Sequence, residues 1–215
     1  MITEAKFNED IAKYDKMEKR GSFYKMAVNL LNNGFEMEAY FLILATWNFA
    51  RFRYAVNDFD IENFKEKMKE LNPYFGKLKT EDFRTIEFDK YREDIKKIFH
   101  TLSSIKGIEY TGAAKIMHLK NQSVFVMWDG SIKGEKTTQD YNKLQIVQDG
   151  QWKLEYYENS PESYIQFLKD MQGLFNHIHF QSNEKTFAKA IDEFNYVNIT
   201  LPLQEIADKK KEMKR

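Results

Sequence analysis

Between Ser104 and Lys133 the chain sets one acid, Asp129, directly behind Trp128, and places four lysines against only two acids. An aspartate at the end of an apolar run (Val124-Phe-Val-Met-Trp-Asp129) can do two kinds of work. It can stabilise a developing cationic sugar and orient or deprotonate water. It can equally cap a helix beginning at Gly130-Ser131. The lysines are Lys106, Lys115, Lys120 and Lys133, and the acids are Glu109 and Asp129. That local surplus of positive charge stands in a chain whose formal net charge is zero, with 33 Lys plus Arg and 33 Asp plus Glu. Bulk charge therefore cannot hold a polyanion; a local patch and backbone donors would have to.

The elements that must position these groups follow from the same stretch. An amphipathic helix ends in a turn at Gly107, and a second helix begins with small residues, Gly112, Ala113 and Ala114. Such a hairpin leaves several N–H groups without partners, and the helix dipole adds to their pull on an anion. Lys106, Gly107, Ile108, Tyr110, Gly112, Lys115, Lys120 and Lys133 are then the expected phosphate-contacting set. Trp128, Trp47 and Phe52 are candidates to wall a base pocket, although in a chain with 18 Phe, 12 Tyr and 3 Trp the default for any ring is core packing. Thr111 either lines the site or caps the second helix.

With these residues in hand, the segment resembles the helix-hairpin-helix DNA glycosylase superfamily. Gly107-Ile108 and Ala113 match its hairpin, and Val124–Lys133 looks like its apolar-Asp-x-x-apolar-basic element. Glu109 stands where the family has its second hairpin glycine, and Trp128 where it has a proline before the aspartate. The resemblance implies a flipped, damaged or mispaired base, with Asp129 promoting hydrolysis of its N-glycosidic bond. It also implies DNA as partner, a monomer, and no cofactor apart from a monovalent cation at the hairpin. The family's covalent lysine position, eighteen or nineteen residues before the aspartate, falls at Thr111. Thr has no amine, so a monofunctional enzyme is expected. A non-catalytic helix-hairpin-helix module that binds nucleic acid is the alternative.

Around this motif the expected fold is mainly helical and two-lobed. Residues 35–134 form the central lobe, with the helix-hairpin-helix at about 98–120; residues 1–34 and 135–215 form the second. Helical spacing marks Phe7–Met17, Phe23–Leu31, Glu36–Val56, Ile61–Leu71 (closed by Asn72-Pro73), Phe88–Ser103 and Tyr164–Ile178. Ser160-Pro161 starts the last of these, and another helix spans roughly Glu184 to Tyr196. Leu144–Tyr157 reads as a β-hairpin about Asp149-Gly150. The absence of Cys excludes disulfides and thiolate metal sites. His177 and His179 alternate without a carboxylate partner, so no metal site is expected. No apolar run is long enough for a signal peptide or membrane span, and a cytoplasmic location is expected.

Overall fold

The computed structural model describes residues 1–18, 21–153 and 155–213. The described residues are mainly helical and contain no strand. Helices α1 (Glu4–Met17), α2 (Gly21–Asn32) and α3 (Glu36–Trp47) come first. Each has a local cause. Thr3 caps α1 by accepting from the Lys6 N–H, and Gly34 ends α2 with a positive φ of 84°. There the Phe35 N–H reaches Leu30 O and the Gly34 N–H reaches Leu31 O, the paired bonds of a glycine-terminated helix.

The apolar run expected as one helix to Val56 instead breaks at Asn48. A short α4 (Phe49–Phe52) and a 3₁₀ turn (Val56–Asp58) follow. Asn48 leaves the helical path because its buried side chain is needed elsewhere: Nδ2 donates to the carbonyls of Gly107 (3.1 Å) and Ile108 (3.2 Å). Helix α5 (Ile61–Lys77) is capped by Asp60 and runs straight through Pro73. The proline removes one backbone bond, but Phe75 and Leu78 beyond it are buried, and that packing prevails.

Helix α6 (Arg92–Ser103) begins later than Phe88, after a run of turns, and α7 (Glu109–Lys120) packs against it. Helix α5 and helix α10 (Pro161–Phe175) flank α6, while α3 lies on α7. Added to Gly112, a Cβ would meet Asn48 Nδ2 at 2.8 Å and side chains of Ile108 and Leu44 at 3.1 Å, so that glycine serves close approach of α3 and α7. Ser160 caps α10 through the Ser163 N–H, with Pro161 in the first turn as expected.

Among the described residues, the 144–157 segment shows no β-hairpin. Leu144 opens a helical turn, α9 (Gln145–Gln148), shortly after α8 (Thr138–Tyr141). Asp149-Gly150 is indeed a chain reversal, but of the helix-ending kind. Gly150 has φ 66°, its N–H reaches Val147 O, and the Gln151 N–H reaches Ile146 O. Irregular chain follows, and Leu154, in the expected second strand, lies outside the described residues.

Near the end, α11 (Phe187–Asn195) passes through a π turn (Tyr196–Thr200) into α12 (Leu201–Glu212). Helix α1 lies against α11 and the π turn, closing chain start onto chain end. One continuous apolar core joins all these elements. At its centre Trp128 meets Tyr164 (4.9 Å), Phe167 (5.5 Å) and Phe99 (5.7 Å). Burying rings of this size contributes roughly 2–3 kcal/mol each, which fixes the irregular 124–128 segment firmly. No helix among the described residues is long and apolar enough to cross a membrane.

Candidate functional site

The hairpin turn is built as a left-handed corner. Gly107 has φ 88°, and a Cβ there would sit 2.5 Å from the Ala55 Cβ, so only glycine fits. Glu109 also has a positive φ, 52°, alone among the described non-glycine residues. The backbone thus keeps the second left-handed position although a glutamate occupies it, at roughly 1–2 kcal/mol of strain. No side chain caps α7 at Ile108; of its first-turn N–H groups, that of Glu109 is taken up by Ile105 O at 3.3 Å. Lys106 is exposed at the corner, 3.3 Å from Asp58, and the Glu109 carboxylate lies 3.6 Å from Arg51.

Asp129 follows the buried Trp128, whose Nε1 donates to the Tyr110 carbonyl at 3.1 Å and so ties the aspartate's segment to α7. The half-buried Asp129 carboxylate is held at both oxygens. Oδ1 accepts from the Ile132 N–H (2.9 Å) and Oδ2 from the Thr200 hydroxyl (2.9 Å). Residues 130–134 form successive turns rather than the helix expected there, with Gly134 at φ 87°. Asp129 therefore does cap its own turn, while one face opens on a cavity of about 130 Å³. A water needs only about 10–15 Å³ by this measure, so the space takes several waters or one flat ring.

Trp47, Lys115, Met127, Trp128, Asp129 and Ile132 line that cavity. Tyr14, Glu18, Asp192, Tyr196, Thr200 and Gln204, from the two ends of the chain, complete its lining. The Trp47 Nε1 is buried without a hydrogen-bond partner among the described residues. A larger open groove of about 690 Å³, between α5 and residues 120–123, holds Lys79 and Lys120; Lys120 is paired with Glu36 at 2.8 Å.

Behind the cavity wall sits a closed ionic cluster. Lys189 is 1% exposed, bonds Asp192 at 2.7 Å and lies 3.5 Å from Glu193. Its ammonium faces the rings of Trp47 (4.5 Å), Tyr24 (4.8 Å) and Tyr14 (5.0 Å). Burial alone would lower the lysine's pKa, but Asp192, Tyr14 and Glu193 hold it above its usual range. Burial raises the Glu193 carboxyl, offset by Lys189 and Lys185. Next to this cluster, burial pushes His118 down to about 3. His118 Nδ1 donates to Phe125 O (2.5 Å), so Nε2 accepts from the Tyr24 hydroxyl (2.8 Å).

Several sequence expectations change in this light. Lys133, 1% exposed, bonds Glu135 at 2.6 Å and the Asn159 side chain, and lies over Trp128; it cannot reach a phosphate at the surface. Lys115, 6% exposed, lines the cavity instead of a solvated face. Gly112 packs helices, and Phe52 packs on Phe41 and Phe59 beneath the Gly107 corner, away from the cavity. Thr111 does not line the cavity, and Tyr110 packs on Phe99 at 6.1 Å. Gly107 and Ile108 are buried, so only their backbone could take part. Lys106 keeps an exposed position at the turn. His177 Nε2 bonds Ile2 O at 2.8 Å. Tyr14, Asp192, Tyr196 and Thr200 went unread as site residues. Only the Leu201-Pro202 step hints that the last helix is interrupted near them. Compared with family models, curated proteins and solved structures, the chain matches none.

Proposed function

We propose that the chain excises a damaged or mispaired base from DNA, acting as a two-lobed monomer with Asp129 as its catalytic carboxylate. The observation that carries this reading is the placement of Asp129: fixed at both oxygens, tied to the hairpin through Trp128 and Tyr110, and facing a cavity the size of a flat ring. Residues 35–134 supply one wall and residues 1–34 with 135–215 supply the other, so the cavity lies where the two proposed lobes meet.

The hairpin corner, with the exposed Lys106 and the uncapped start of α7, takes a backbone phosphate. The nucleotide turns out of the stack at a cost of a few kcal/mol, least for a damaged or mispaired base. Trp47 and Trp128 give the base apolar walls, and the unsatisfied indole N–H of Trp47 offers it a donor. Asp129 then stabilises the cationic sugar and orients the attacking water. A monovalent cation at the hairpin belongs to the same proposal. Asn48 already donates to the carbonyls of Gly107 and Ile108, so the ion would draw on other oxygens.

The test is a set of duplexes carrying oxidised, alkylated and deaminated bases, scored for abasic product, with Asp129→Asn alongside. Excision by the wild type that vanishes in a folded, DNA-binding variant supports the reading; full activity in the variant overturns the assignment. The rival, a non-catalytic helix-hairpin-helix module, is favoured by the Glu109 charge at the corner and the formal net charge of zero. It predicts equal binding to intact and abasic duplexes across a salt series, whereas the enzyme prefers the abasic one.

A further inference from the structure

Asn48 breaks the helical run to reach the Gly107 corner, and the break leaves a short element on the surface. On α4 and the turn after it, Phe52 and Ala55 are buried, whereas Phe49 and Tyr54 stay 54% and 73% exposed. Single exposed rings are ordinary. These two share one cation. The Arg53 guanidinium lies 4.6 Å from the centre of the Tyr54 ring and 5.6 Å from that of Phe49, and it donates to the Tyr54 hydroxyl at 2.6 Å.

Charge narrows what can lie on this face. Arg51 pairs with Glu109 and Lys106 with Asp58, but all four side chains are well exposed, and such pairs yield readily to an incoming anion. Arg53 meets no carboxylate among the described residues. A purely apolar partner would cut that guanidinium off from water without compensating its charge. Flat rings joined by anionic links suit both kinds of group at once, since bases stack on aromatic faces and phosphates meet arginine. A duplex hides the faces of its bases. An unpaired strand offers them.

We propose that Phe49, Arg53 and Tyr54 form a platform for single-stranded DNA, with bases stacked on the two rings and a phosphate on Arg53. Only the choice of DNA rests on the reading above, for none of the three residues lines the cavity at Asp129. The platform adds a contact for unpaired strand beside the hairpin corner, independent of any excision.

The experiment uses the full chain and a fluorescent strand of about twelve thymidines, a length within the usual range for such sites. This probe holds no damaged base and cannot pair with itself. Wild type should bind it at low salt, and Tyr54→Ala and Phe49→Ala should each weaken binding about tenfold. Tyr54→Trp restores a flat ring and should bind as wild type does. Arg53→Gln should reduce the slope of log affinity against log salt by about 0.7, the value for one phosphate on a single strand. Circular dichroism checks that every variant keeps its helical content. No binding by wild type, unchanged binding in Tyr54→Ala, or tighter binding of the matching uridine strand overturns the proposal. So does displacement by polyglutamate as readily as by unlabelled strand, which would leave charge without stacking. The two readings fail separately. Strand binding without excision of any base keeps the platform and removes the glycosylase, while excision without strand binding does the reverse.

Discussion

Two polar regions lie on either side of the Trp47 and Asp192 wall, and they solve opposite problems. The Lys189 cluster encloses its cation: two carboxylates and three ring faces surround an almost wholly buried ammonium. The Asp129 region holds its charge by a backbone N–H and one hydroxyl, and leaves space in front. Buried charge of the first kind gives a defined structure at large desolvation cost. A positioned carboxylate facing a cavity stabilises charge that is not yet there. The difference teaches which of two buried polar groups to test for catalysis and which for folding.

The comparison makes its sharpest demand on Asp129→Asn. On the proposed reading excision should fall about 10²–10⁴-fold, with DNA binding and melting temperature nearly kept, because the amide oxygen can still accept from the Ile132 N–H while the amide NH2 donates to the Thr200 hydroxyl oxygen. A large loss of Tm with intact activity per folded molecule would move Asp129 to the structural side. Lys189→Met should do the reverse. It strands Asp192 and costs about 3–5 kcal/mol in urea unfolding, while the surviving folded fraction keeps binding DNA.

Acid should divide the two regions again. His118 is neutral when folded, with its pKa depressed to about 3 from an ordinary 6.5. The unfolded chain therefore binds the extra proton first, and stability rises with pH through that window. Its contribution is complete above about 6.5 and is lost as pH falls toward 3, on the order of a few kcal/mol in all. His118→Gln should flatten the stability profile over this range; an unchanged slope would show that other groups govern the acid limb. The smallest effect is a gain. Glu109→Gly relieves the left-handed strain and should add about 1 kcal/mol by thermal unfolding, since the exposed Arg51 contact it loses is worth little. It also removes the negative charge at the corner, so tighter duplex binding is expected; weaker binding would separate the corner from the phosphate.

Much of the local architecture was legible. Ser160 marks a helix start and Gly34 marks a helix end by chemistry any reader can apply. The Asp149-Gly150 pair was misread because one dipeptide suits both a tight hairpin and a glycine-terminated helix, and the choice depends on packing of Ile146. The site was half legible. Trp47, Lys115, Trp128 and Asp129 were all singled out and do meet at one cavity, yet Lys115 was assigned to the surface. Residues Gly112 to Leu119 are buried on every face, so periodicity has no polar side to report there. The rest of the lining comes from Tyr14, Asp192, Tyr196 and Thr200, at the two ends of the chain. Nothing in their own neighbourhoods announces Asp129.

The π turn at Tyr196–Thr200 has a mechanical corollary. A wide turn holds one residue more than the regular helix would, and each residue advances a helix by about 100°. Deleting a single residue there would leave a smooth helical rod from Phe187 onward. It would also swing everything after the deletion around the axis, carrying Thr200 and Gln204 away from the cavity and from Asp129. What the acid relies on at this place is a count of residues, and a shortened variant would lose its hydroxyl clamp with every side-chain type intact.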